Sequence, residues 1–332
     1  MIYPTITGLD IGHHSIKAVS ARLKQGQLEL IDSHEVLLPE SAFLDVNTLH
    51  IEEVIPYLCH LKKGIKRNQK KVAFSIPDNS IMSKVIQVDS QLDEKETEFT
   101  VMHTFEQQTP FLAEELNIDF VAMDQKGVNS EQISMYQVFA AKKDLVESRE
   151  GCLKRAGFLP VLAEVHSHAL LALWQQSITQ SPSKKNWMLI DIGHCQTTFC
   201  ITSPNQHTYS KQLLFGASHQ KSGIELSPLT PLNEEKYTQF IALLAEHIHR
   251  QLTLYSSIHN HKVEGVWLTG GGSMLPELSN LLSYELSLPT EQLSIMSLFH
   301  GTKRREAQLN TLENQYALAA GLALRGVEWL TK

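Results

Sequence analysis

The sequence predicts a two-domain α/β fold in which both domains are built on the same strand–turn–strand unit and the first carries an inserted α+β subdomain. Three observations lead there. At 332 residues the chain exceeds what one hydrophobic core usually serves. A twelve-residue pattern beginning at Gly8 returns 181 positions later, at Leu189. Between and after the two copies, segments with helical periodicity alternate with strand-like ones.

The first copy reads Gly8-Leu-Asp-Ile-Gly-His-His-Ser-Ile-Lys-Ala-Val19, and the second Leu189-Ile-Asp-Ile-Gly-His-Cys-Gln-Thr-Thr-Phe-Cys200. Each is an apolar strand ending in Asp-Ile-Gly-His, then a short polar turn and a second β-rich strand. Gly12 and Gly193 offer positive φ and no Cβ, so backbone N–H groups at the turn can approach an anion. Ser15 in one copy and Gln196, Thr197 and Thr198 in the other add side-chain donors. Asp10 and Asp191 end the preceding strands, where a carboxylate can hold magnesium through water. Two such turns facing each other would clamp a polyphosphate; two ordinary tight hairpins are the plainer alternative.

Along the chain, residues 1–76 and 163–186 make up the expected first subdomain, with 77–162 inserted. Within the insert, Asp93 and Glu96 form a capping-box start, and Phe99, Met102 and Phe105 follow as a core stripe. Asp119–Met123 and Ile133–Ala140 read as strands. Leu145, Cys152, Leu153 and Ala156 share a helix face, with Gly157 as its C-cap. Gln180–Asn186 is polar and serves as the linker. The second domain, 187–332, includes a small, shortened subdomain around 205–262. Its long helix carries Phe240, Leu243, Leu244, Ile248, Leu252 and Tyr255 on one face. A buried strand, Val263–Leu268, leads into Thr269-Gly270-Gly271-Gly272-Ser273, a strand-to-helix loop that brings backbone close to a ligand. No Gly-Lys-Ser/Thr follows, so it is not a P-loop.

Composition narrows the function classes. Hydrophobic residues at 42% and charged residues at 20% fit a folded globular chain rather than a disordered one. A net charge of −7 gives no electrostatic footprint for nucleic acid. The basic clusters Lys62–Arg67 and Lys70-Lys71 are short solvated faces. The opening residues lack a secretory pattern, and the apolar runs 169–174 and 317–324 are too short to span a bilayer. Cys59, Cys152, Cys195 and Cys200 form no Cys-x-x-Cys pair, so buried thiols in a reduced cytoplasmic compartment are expected. His166 with His168, and His247 with His249, are two apart and on a helix point to different faces; exposed or capping roles are expected rather than metal ligation.

The order of these motifs resembles the actin-like ATPase superfamily, with its duplicated ribonuclease H-like domains, and within it the PilM proteins of type IV pilus assembly, relatives of FtsA. Further segments carry the likeness: Ala73–Asp78, Met82–Gln87, Phe105–Phe111, Glu114–Phe120, Ala140–Lys142 with Ala156-Gly157, Leu214–Gly216 and Gly321–Arg325. The resemblance implies ATP and Mg2+ held between the domains by Asp10, Gly12, His13, His14, Ser15, Lys17, Asp191, Gly193, Gln196, Thr197, Thr198, Gly270, Gly271, Gly272 and Ser273. It implies a cytoplasmic scaffold, placed at the inner membrane by its partners. That scaffold docks the short N-terminal cytoplasmic peptide of a PilN-like membrane protein in a groove beside the insert, alongside other pilus components and self-assembly. Two departures stand out. His13-His14 replace the small or hydroxyl residues usual in the family, and the shortened segment 217–233 implies a weaker grip on adenine and weak or absent hydrolysis. A small-molecule kinase of the same superfold and a filament-forming or membrane-tethered relative are the alternatives. No carboxylate base is evident for the first, and 327–332 is too short a tether for the second.

Overall fold

The computed structural model describes residues 3–123, 133–203, 208–219, 224–226, 233–300 and 313–331. The first lobe opens with a meander of β1 (Thr5–Ile11), β2 (Ser15–Lys24) and β3 (Gln27–Leu37), followed by α1 (Ile51–Gly64) and β4 (Lys71–Ile76). The insert comprises β5 (Ile81–Asp89), α2 (Glu94–Gln107), β6 (Leu116–Ala122) and β7 (Ile133–Lys142). The chain returns through α3 (Lys143–Arg155), β8 (Leu159–Val165) and α4 (His166–Gln180). The second lobe holds β9 (Trp187–Ile192), β10 (Thr197–Thr202), β11 (Thr208–Leu213), β12 (Ser218–His219) and β13 (Ile224–Glu225). It continues with α5 (Glu234–His259), β14 (Gly265–Thr269), α6 (Leu278–Leu286), β15 (Thr290–Gln292) and α7 (Ala317–Thr331).

Duplication is visible in the sheets. The first runs β3-β2-β1-β4-β8 and the second β11-β10-β9-β14-β15, the same order in each half. In both, a three-stranded antiparallel meander continues into two parallel strands. Parallel strands need crossover connections, and α3 and α6 lie in those crossovers.

The lobes are joined by α4 and α7. Helix α4 is apolar on nearly every side, with Ala169 to Trp174 all buried, because it packs on α7 and contacts strands of both lobes. Small residues allow α7 to lie against β1 at backbone contact. A Cβ on Gly8 would sit 2.0 Å from the Ala319 carbonyl, and one on Gly321 would sit 2.2 Å from that of Ala169. This placement differs from the expected 187–332 domain, since α7 covers the first lobe's sheet.

The insert is a three-stranded antiparallel sheet, β5-β7-β6, with α2 on one face. Its own core comprises Ile86, Val88, Val101, Phe105, Leu116, Val138 and Ala140. The capping box forms: Asp93 accepts from the Glu96 N–H at 2.8 Å, and Glu96 accepts from the Asp93 N–H at 3.1 Å. Of the expected stripe, Phe105 is buried and Met102 half-buried, but Phe99 is not covered. Thr97, Val101 and Phe105, each four apart, face the sheet, while Phe99 is 71% exposed and stacks on His103. The insert also ends earlier than 162. Cys152 and Leu153 of α3, with Ala156 just after it, pack with Val54, Leu58 and Leu61 of α1, and β8 joins the first sheet. Gly157 ends α3 at φ +83°, as its position after the apolar face requires.

In the second lobe the apolar face of α5 forms over 26 residues, burying Phe240, Leu244, Ile248 and Tyr255. The four cysteines are unpaired. No helix among the described residues is long and apolar enough to cross a membrane.

Candidate functional site

The two turns of the repeat meet. The rings of His14 and His194, one from each, lie 5.4 Å apart across a cleft of about 450 Å³. Each turn is closed in the same way: the Gly12 N–H donates to the Ser15 carbonyl at 3.1 Å, and the Gly193 N–H to that of Gln196 at 2.8 Å. These N–H groups are therefore committed to the turn and are not anion donors, and neither glycine has positive φ. The need for glycine is steric: a Cβ at residue 193 would lie 2.9 Å from the Gln196 carbonyl.

Register decides which side chains face the cleft. Asp10 pairs with Lys17, and Asp191 with Thr198, at equivalent positions of the two hairpins. Because strand residues alternate, Thr197 turns the other way and donates to the Phe215 carbonyl at 2.7 Å. Ser15 is fully buried and accepts from the Lys17 ammonium at 2.6 Å. Ser273 donates to the Gly270 carbonyl at 2.7 Å. These three, expected as ligand contacts, do not line the cleft. Asp10, Gly12, His13, His14, Lys17, Asp191, Gly193, Gln196, Thr198, Gly270, Gly271 and Gly272 do.

The glycine loop forms the third wall. Gly270, at φ +81°, lies against the end of β9, where a Cβ would meet the Ile192 carbonyl at 2.4 Å. The chain then makes a 3-10 turn over Gly271–Met274 before α6, rather than entering the helix directly. Ala217, Leu226 and Met274 add an apolar wall beside it. Of the segment 217–233, residues 220–223 and 227–232 lie outside the described residues.

Sequence reasoning missed several cleft residues. Arg149 of α3 is 3% exposed and reaches the cleft from beside the insert. A cation at the centre of the Leu145–Cys152–Leu153 face was the signal for it. His166, at the start of α4, faces the cleft 3.9 Å from Asp191 rather than solvent. Asp78, at the entry to the insert, fixes that helix start by accepting from the Ser167 N–H at 3.1 Å. Glu35 lies 3.7 Å from Lys17 and accepts from Gln315 at 3.2 Å.

Asp10, Asp191, Glu35 and Glu313 share this space with Lys17 and Arg149. Burial raises both Asp10 and Asp191; Lys17 opposes the rise at Asp10, and His166 opposes it at Asp191 while Asp10 itself adds to it. Thr269 donates to Asp191 at 3.1 Å. Burial pushes His13 down to about 4, and its ring stacks on Phe43 at 4.1 Å. Arg149 is lowered to about 10 by burial, with Asp10 opposing. The cleft also holds buried polar atoms without a hydrogen-bond partner: Arg149 Nε, His166 Nε2 and Gln196 Nε2. The residues that carry these atoms line the cavity together with Lys17, a donor-rich setting that fits an anionic ligand, and the apolar wall fits a flat, non-polar moiety beside it.

Known proteins resemble the chain throughout. A solved PilM-PilN type IV pilus biogenesis complex is 21% identical with a TM-score of 0.77, covering 97% of this chain and 98% of that one. The ethanolamine utilization protein EutJ from Carboxydothermus hydrogenoformans is 12% identical with a TM-score of 0.49, over 98% and 90% of the two chains. The cytoplasmic domain of EpsL, an inner-membrane component of the Vibrio cholerae type II secretion system, is 10% identical with a TM-score of 0.47, over 97% and 95%. The fold is the actin-like two-domain fold. The sequence model described as type IV pilus assembly protein PilM matches residues 8–226 and 231–327. With nearly its whole length matched, this chain belongs to the PilM family of type IV pilus assembly proteins.

Proposed function

We propose that the protein is a scaffold of type IV pilus assembly that binds Mg-ATP between its lobes and docks the N-terminal cytoplasmic peptide of a PilN-like inner-membrane partner. The observation that carries the nucleotide part is the convergence of Asp10, Lys17, Asp191, Gln196 and Thr198 on one cleft, from both copies of the repeat. Lys17, Gln196 and Thr198 hold the phosphates; Ala217, Leu226 and Met274 flank the base. Asp10 and Asp191 are the residues that would hold magnesium, whose charge would offset the cost of two neighbouring buried carboxylates. Bound nucleotide supplies a polyanion that ties one lobe to the other.

The docking part rests on family membership and on the likeness to a PilM-PilN complex. The insert also exposes Val85 and Val121, both paired with Gln137 of the central strand and so on the sheet face away from α2, apolar surface of the kind an extended peptide covers. Calorimetric titration with a synthetic N-terminal peptide of the PilN-like partner tests it. Micromolar or tighter binding is expected, and its affinity and that of Mg-ATP should alter each other by the same factor. No binding at high micromolar peptide contradicts the docking role.

A further inference from the structure

Arg149 is a buried, poorly compensated charge of the cleft. It is 3% exposed, and no carboxylate lies within ion-pair distance of it among the described residues. One terminal nitrogen donates to the Asn47 carbonyl at 2.9 Å, and Nε is buried without a partner. A guanidinium placed this way is costly to the fold unless an anion enters the cavity it lines.

Its position indicates which part of a ligand it meets. Asn47 belongs to the loop that Asp45 organises by accepting from the N–H groups of Asn47 and Thr48 at 2.8 and 2.9 Å. That loop also brings Phe43 onto His13 of the first turn. Arg149 thus lines the cleft from the first lobe, whereas the apolar wall of Leu226 and Met274 lines it from the second. A nucleotide whose base rests on that wall directs its far end toward Arg149.

We infer that Arg149 contacts the terminal phosphate of the bound nucleotide, so that the cleft distinguishes a triphosphate from a diphosphate. This rests on the nucleotide reading of the cleft. Because α3 follows directly on β7 of the insert and packs on α1, the residue that senses the phosphate is carried by the element returning from the insert.

The experiment compares Mg-ATP and Mg-ADP binding, by calorimetry, to the wild-type chain, Arg149→Met and Arg149→Lys. In the wild type ATP should bind more tightly. Arg149→Met should lose about ten- to hundred-fold in ATP affinity, with ADP changed less than about threefold. Arg149→Lys, which keeps the charge but not the planar fork, should fall between. Without ligand, Arg149→Met should melt no lower than the wild type, whereas a merely structural arginine would leave it less stable. Equal losses for ATP and ADP, or none in either variant, overturn the assignment while leaving the cleft a nucleotide site. A wild-type chain that binds neither nucleotide removes both readings.

Discussion

The two hairpins of the repeat share a backbone and differ in what they place beside the carboxylate. In the first, Asp10 has Lys17 across the strand pair and feels Arg149. In the second, Asp191 has Thr198 across from it and a hydroxyl of Thr269 donating to it. Duplication kept the turn and the acid; divergence gave the cations to one lobe and neutral hydrogen-bonding groups to the other. On the proposed nucleotide reading, a polyanion in this cleft is neutralised from the first lobe and oriented from the second.

The same comparison extends into the core. Position 8 in the first copy is glycine and the equivalent position 189 is leucine. Helix α7 lies on β1 at backbone contact, whereas Leu189 is fully buried among side chains. Alanine should therefore be wrong at both sites for opposite reasons. Gly8→Ala forces backbone away from backbone and should cost about 3 kcal/mol. Leu189→Ala leaves a cavity and should cost about 2–4 kcal/mol. Urea unfolding of both variants measures this, and a neutral Gly8→Ala would show that α7 does not rest on the first sheet.

A smaller effect sharpens the division of labour at the cleft. Lys17→Met should weaken Mg-ATP binding about thirtyfold, in the range of a charged contact, and Thr198→Val only a few-fold. Equal losses in the two variants would mean that the hairpins divide no such task.

Much of this was readable from the chain because it is local. The repeat lies in two short segments, and the capping box of Asp93 and Glu96 and the glycine end of α3 follow from neighbouring residues. The phase of α2 was not, since Phe99 and Val101 are both apolar and only the sheet decides which is covered. Nor was the turn chemistry: the glycine N–H groups are spent on carbonyls three residues away. Arg149 reaches the cleft, near enough for Asp10 to feel its charge, only after α3 has packed on α1, although a cation inside an apolar helix face marked the residue. The docking of α7 on the first lobe depended on a distant partner, with Gly321 and its neighbouring alanines as the trace of close approach.

The central claim is that both hairpins bind one ligand together. Calorimetric titration of Mg-ATP into the wild type, Asp10→Ala and Asp191→Ala tests it most directly. The account predicts one nucleotide per chain in the wild type and at least about tenfold weaker binding in each variant. Unchanged isotherms in both variants would contradict it.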